Sequence, residues 1–197
     1  MLNLNDIQRI VHISMGNMKL PFIPSVSQPR IITCNKKAPC IHSGCYAAKE
    51  KRFPQAINAR MKNYNSYNNN PHLFFEAILT WIQNVMPTYF RWHVSGDIID
   101  RYYIDSMIKI AEKNSRTNFL VYTKKYELIP NFTPKNMSVF ASAWPDFELD
   151  TPYQYPVAWM QDGTETRIPE NAYLCHGNCF SCKFCWHADR DVVFKKH

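Results

Sequence analysis

YFRWHVSGD, residues 89–97, is the stretch on which the fold turns. Phe90, Trp92 and Val94 alternate with Arg91, His93 and Ser95 until Gly96-Asp97 breaks the run, which predicts a strand with one apolar and one polar face. Strands of a parallel sheet are covered on both sides and usually read as continuous apolar runs. A polar face on such a strand needs hydrogen-bonding partners or a cavity. A lumen supplies both, so the stretch points to an α/β fold built as an incomplete or shortened (β/α) barrel.

The segments on either side supply the rest of that fold. Upstream, Asn70-Pro71 is a helix start, and Phe74, Ala77, Ile78, Trp81, Ile82 and Val85 follow at helical spacing, with Trp81 assigned to the core. Downstream, Asp100 caps a helix whose Ile104, Met107, Ile108 and Ala111 form an apolar stripe ending near Asn114. NFLVYTK (118–124) reads as the next strand, and Met137–Ala141 and Tyr155–Met160 as further short strands, with connections long enough for parallel crossovers. Arg30-Ile31-Ile32-Thr33 reads as a short buried strand ending at Cys34. From Tyr46 to about Asn63 the pattern is helical, divided by Pro54, with Ala47, Ala48, Ala56, Ile57 and Met61 on its inner face. The polar run Asn63–Asn70 reads as a loop. Sites in such folds form where strands end, here at Cys34, Ser95-Gly96-Asp97, Thr123-Lys124, Ser142 and Gln161. Ser95, Gly96, Asp97 and Lys124 are therefore the candidate cofactor-binding residues, Lys124 as the holder of a phosphate or carboxylate.

A chain of 197 residues with 46% hydrophobic and 14% aromatic residues fits a single packed domain. The reading is an α/β core over 30–170 followed by a cysteine-rich segment over 171–197. No apolar run reaches the ~18 residues of a membrane span, and residues 1–22 lack the core of a secretory signal, so the expected location is the cytoplasm. Seven cysteines there stay reduced, and an odd count suits metal or cluster ligation better than disulfides. The net charge of +7 is uneven: ten Lys or Arg face two acids up to Lys62, and thirteen face fourteen beyond it. That basic first third suits a phosphate, a nucleic acid or another anionic ligand, or is a solvated basic face.

The cysteines fall into two groups. Cys175, Cys179, Cys182 and Cys185 lie close together in LCHGNCFSCKFCWH, and neighbouring thiolates repel unless a cation neutralises them. Short serial spacers favour an iron–sulfur cluster over the separated pairs of structural zinc. Cys34, Cys40 and Cys45 are a trio, which leaves one position of a zinc or of a cubane iron open to water, substrate, His42 or a remote cysteine. Lys36, Lys37, Lys49, Lys51 and Arg52 surround the trio with positive charge. His93 reads as a satisfied strand histidine, and His176 and His187 as second-ranked ligands. The expectation is at least one [4Fe–4S] cluster, with a second cluster or zinc on the remaining thiols, and the C-terminal segment folded back onto the strand-end face. The alternative is a zinc-stabilised nucleic-acid-binding protein.

Thr33-Cys34 with Cys45-Tyr46-Ala47, RWHVSGD (91–97), VYTK (121–124), ASA (141–143) and the terminal set from Cys179 through Cys185-Trp186 to Val192-Val193-Phe194 and His197 together resemble the gene product 88 family of phage and plasmid proteins. The resemblance covers roughly residues 30–197 and implies a mobile-element origin and a cysteine-rich metal centre. A more distant resemblance is to radical S-adenosylmethionine enzymes, whose α/β barrel carries a three-cysteine loop directly after its first strand, the place taken here by Cys34, Cys40 and Cys45. It implies S-adenosylmethionine as a cofactor. The spacing of that family's loop is found instead at Cys175, Cys179 and Cys182.

Overall fold

The computed structural model describes residues 2–17, 20–42, 44–151 and 155–195, with the side chains of Glu50 and Lys51 outside the description. Its centre is a sheet of seven strands, all parallel: β1 Ser25–Val26, β2 Tyr89–Trp92, β3 Asn118–Thr123, β4 Met137–Ser142, β5 Val157–Gln161, β6 Tyr173–Leu174 and β7 Val192–Lys195. The spatial order is β1-β2-β3-β4-β5-β7-β6. The sheet is open, with β1 and β6 at its edges, and is not a closed barrel.

That order has a consequence for burial. Parallel crossovers are right-handed, so strands added one after another in the same direction place their connections on one face. Helices α1 (Leu4–Ile10), α2 (Pro54–Asn69), α3 (Pro71–Val85) and α4 (Arg101–Lys113) contribute to the main core on that face, where they meet Phe90, Trp92, Phe119, Val121, Val139 and Trp159. The intervening strand residues point the other way. Leu120, Phe140, Ala158 and Val192 form a second cluster on the opposite face, joined there by Leu20, Ile23 and Trp186.

Periodic segments form as their patterns require. Asn70 caps α3 by accepting from the Leu73 amide, Pro71 occupies the first turn, and Phe74, Ala77, Ile78 and Ile82 are fully buried. Asp100 caps α4 through the Tyr103 amide, and Ile104, Met107 and Ala111 face the core.

Four expectations change. Residues 30–33 are a turn, not a strand: the Thr33 amide and hydroxyl both return to the Pro29 carbonyl, at 3.3 and 2.9 Å, and Ile31 takes a left-handed φ of 68° with its side chain outward. The first strand lies earlier, at Ser25–Val26, where it pairs with Arg91 and Trp92. The run 63–69 is helix rather than loop, because Asn63 and Tyr67 are buried by hydrogen bonding where an apolar stripe is missing. The strand at 89–97 stops at Trp92: His93 has φ 60°, which breaks the two-residue alternation and turns its ring to Tyr103 on the helical side. Finally, the C-terminal segment contributes two strands to the sheet, since β7 inserts beside β5 and β6 pairs with β7.

Candidate functional site

At the C-terminal end of the strands, one network joins the loops after β2, β3 and β4. Gly96, at φ +75°, passes so close to Gln28 that a Cβ would stand 2.5 Å from the Gln28 carbonyl oxygen, and only glycine fits there. This brings the Asp97 amide 3.0 Å from the Thr33 hydroxyl. The Asp97 carboxylate accepts from the Ile98 and Lys124 amides, at 2.8 and 2.9 Å. Burial raises its pKa, opposed by the Thr123 hydroxyl and these amides. The Lys124 ammonium donates to Ser142 at 2.7 Å and lies 5.6 Å from the Trp144 ring centre. Asn35 donates to the Lys124 carbonyl at 2.8 Å, tying the first cysteine loop to the same edge.

Cys34, Cys40 and Cys45 sit on this network. Each thiol is half-buried, unpaired as a disulfide, and near enough to the other two to repel a neighbouring thiolate. Burial pushes Cys34 up to about 11, with Asp97 adding to the rise, and raises Cys40 against the pull of Lys124. Asp97 and Lys124 are thus brought beside the trio, Ser95 and Gly96 are shown against Gln28, and Gln161 bonds within its own loop to the Glu165 carbonyl. His93 lies in the core and faces none of the cysteines; burial lowers its pKa to about 3.

The second thiol group is held on the opposite face of the sheet. Trp186 is its anchor: the indole donates to the Phe90 carbonyl at 3.2 Å, its own carbonyl accepts from Ser138 at 3.0 Å, and its ring packs with Leu120 and Phe140. These described anchors lie on the sheet's broad face, which alters the expected fold-back onto the strand-end loops. Asn178 caps the single turn α5, Cys179–Cys182, and Lys183 ends it with a left-handed φ of 53°. Tyr173 stacks on Phe184 at 4.0 Å and places its hydroxyl 3.3 Å from the Cys182 sulfur. Cys175 and Cys182 act electrostatically on Cys179, Cys175 and Cys179 act on Cys185, and burial lifts Cys185 to about 11. Among the described residues, no three His, Cys, Asp or Glu side chains stand, as placed, in position to hold a metal ion. His176 lies against the Tyr173 ring and His187 against Tyr89, whose hydroxyl is 3.3 Å from its Nε2.

A family model described as gene product 88 matches residues 7–188. The chain belongs to the gene product 88 family. Searches of curated proteins and of solved structures returned no match. All seven cysteines of this gene product 88 chain fall inside the matched span, together with strands β1 to β6.

Between the two thiol groups of this family member stand residues that sequence reasoning did not single out as a set. Arg91 projects from β2 toward the opposite face, 4.4 Å from the centre of the Tyr122 ring, and is electrostatically coupled to Cys179 and Cys185 on one side and Tyr46 on the other. Tyr122 hydrogen-bonds Cys185. Tyr46 donates to the Val94 carbonyl, and Arg60 of α2 lies near both Tyr46 and Cys45. The signal was present for Arg91, a cation on an otherwise apolar parallel strand, and for Tyr46, adjacent to Cys45. Nothing in the local pattern marked Arg60, whose place depends on how α2 packs.

Proposed function

We propose that this gene product 88 chain is an iron–sulfur protein in which Cys175, Cys179, Cys182 and Cys185 hold a [4Fe–4S] cluster against the opposite face of the sheet. The observation that carries the reading is the donor set itself: four thiols, three half-buried and Cys182 exposed, none in a disulfide, on one capped turn and its flanks and near enough to raise the cost of ionising one another. Four thiolates so placed are stable only around a cation, and serial short spacers suit a cubane. A bound cluster would supply one-electron transfer or, at an iron without a fourth thiolate, a coordination position.

Cys34, Cys40 and Cys45 form the second candidate centre, a three-thiol set beside Lys124 and Asp97 at the strand ends. On this reading it holds a metal with one open position. A radical-enzyme-like use of that open position by S-adenosylmethionine belongs to the same reading, and a changed paramagnetic resonance spectrum on adding S-adenosylmethionine is the test of it. The second reading, a zinc-stabilised nucleic-acid binder, draws on the basic first third of the chain and on exposed Phe22 and Phe180 beside Lys183.

Anaerobic purification followed by metal and acid-labile sulfide analysis separates them. Brown protein containing iron and sulfide is expected. Colourless protein with stoichiometric zinc and a salt-sensitive affinity for single-stranded DNA would replace the first reading with the second.

A further inference from the structure

At the N-terminal ends of β1 and β2 lies a cleft of about 260 Å³ that the metal reading leaves unused. Pro21 and Phe22, just before β1, and Pro87 and Tyr89, at the entry to β2, supply one part of its lining; Phe180 and Lys183, from α5 and its end, supply the other. At ~30 Å³ per water in the liquid, it takes the place of about nine waters, room for a single planar ring system and too little for a drug-sized ligand.

Its walls are aromatic and open. Phe22 is 84% exposed and Phe180 54%, and the two rings meet edge to face, with centres 6.1 Å apart and planes at 64°, so most of both surfaces stays uncovered. Phe22 and Lys183 both hold left-handed backbone, at φ 61° and 53°, a region that side chains with a Cβ rarely adopt. Burial does not account for that conformation at Phe22, whose ring it leaves in solvent. Strained positions of this kind cluster where ligands are gripped. Pro21 and Pro87 bring no backbone N–H, so the cleft offers ring faces more than hydrogen bonds.

One cation completes it. The Lys183 ammonium lies 4.9 Å from the Tyr89 ring centre and 5.2 Å from that of Phe180. Among the described residues no carboxylate pairs with it, and none of the residues lining the cleft is acidic. Phe22 itself belongs to the part of the chain, up to Lys62, in which ten Lys or Arg face two acids. Aromatic faces beside a cation suit a flat ring that carries negative charge next to it, which is the make-up of a nucleotide. In a duplex the ring faces are hidden by their neighbours, so only an unstacked base can enter.

We infer that this cleft binds single-stranded nucleic acid, taking one unpaired base against Phe22 and Phe180 and the adjoining phosphate on Lys183. The inference rests on the nucleic-acid half of the second reading and not on its zinc: it supplies the site and the strandedness, and it stands equally if the thiols hold iron.

The test is fluorescence anisotropy of a labelled single-stranded DNA of about twelve nucleotides, titrated with the full chain purified without oxygen. The same sequence as a duplex and free adenosine monophosphate serve as competitors, and metal content is measured on every sample. Saturable binding of the single strand is expected, with both competitors weaker. Phe22→Ala and Phe180→Ala should each weaken it by roughly tenfold, the loss of one base–aromatic stack, with metal content unchanged. Should Phe180→Ala lose metal, Phe22→Ala decides, because it lies on a loop outside the cysteine-rich segment. Lys183→Asn, which keeps a residue suited to left-handed backbone, should weaken binding and lower its salt slope by about one. Lys109→Gln, at an exposed position on α4 across the sheet, should change nothing. Absence of saturable single-strand binding by the wild type overturns the inference and the nucleic-acid reading together. Binding that survives the phenylalanine variants undiminished overturns the inference alone, since the chain then holds nucleic acid elsewhere. Duplex or adenosine monophosphate held as tightly as the strand overturns it too.

Discussion

The Arg91 guanidinium lies over the Tyr122 ring, 4.4 Å from its centre, and the Tyr122 hydroxyl bonds Cys185. A cation on β2 is thereby placed beside the C-terminal thiols through an aromatic on β3. The Arg91 Nε is buried and has no hydrogen-bond partner among the described residues. Reduction would add one negative charge to the proposed cluster, so this cation would stabilise its reduced form. Arg91→Gln is expected to keep its iron and to shift the reduction potential to more negative values, read by a redox titration followed by paramagnetic resonance. An unchanged potential with full iron content would remove Arg91 from the electrostatics of the site.

Asn63 ties α2 to the backbone on either side of β1. Replacing it with Leu deletes three hydrogen bonds and leaves the His12 and Ser27 backbone groups unsatisfied in a part-buried place. The expected loss is about 3 kcal/mol, or roughly 9 °C in Tm for a chain of this size, measured by urea and thermal unfolding.

Gly96 is held at φ +75° with backbone of Gln28 in the way of any Cβ. Gly96→Ala combines left-handed strain with a clash that no side-chain rotation relieves, so about 3 kcal/mol or more of stability should be lost. Because the same turn presents Asp97 to Thr33, the variant should also lose whatever metal the trio binds before it loses metal from the C-terminal group. Urea unfolding and metal analysis of the folded fraction check both.

His93 gives the acid dependence. Burial first, then Arg91 and Lys125, hold its pKa at about 3 against about 6.5 in an unfolded chain. Below pH 6.5 the unfolded state takes up a proton that the folded state refuses, so stability is full above 6.5 and falls as pH drops toward 3. The slope is at most about 1.4 kcal/mol per pH unit. Glu165, whose pKa is lowered by Arg167, adds a loss of the same sign that begins only as pH falls through the ordinary carboxylate range. Urea midpoints between pH 7 and 5 should therefore fall in wild type and fall less in His93→Gln.

The parts legible in sequence are those whose pattern and environment agree. α3 and α4 carry apolar stripes with caps, and β3, β4 and β5 carry apolar runs, because each buries one face or both against the core. The candidate residues at strand ends were legible for a topological reason: loops after parallel strands gather at one edge, which placed Asp97, Lys124 and Ser142 together. Elements held by polar contacts were not. The last turns of α2, from Asn63 on, bury Asn63 and Tyr67 through hydrogen bonds to residues far away in sequence, and so read as loop. Thr33 folds Ile31 and Ile32 into a turn that their composition disguises as a strand. β6 and β7 are short, and their membership of the sheet depends on pairing across the cysteine-rich turn between them. His93 was assigned to the wrong face because a single left-handed residue reverses the alternation that follows it.

The central claim is that the four C-terminal thiols hold iron. The direct measurement is iron and acid-labile sulfide per chain in anaerobically prepared wild type, in Cys179→Ser/Cys185→Ser and in Cys40→Ser. The account predicts that the double variant loses about four iron and four sulfide, one cubane, while Cys40→Ser keeps that cluster. Iron-free wild type, or a double variant with undiminished iron and sulfide, would contradict it.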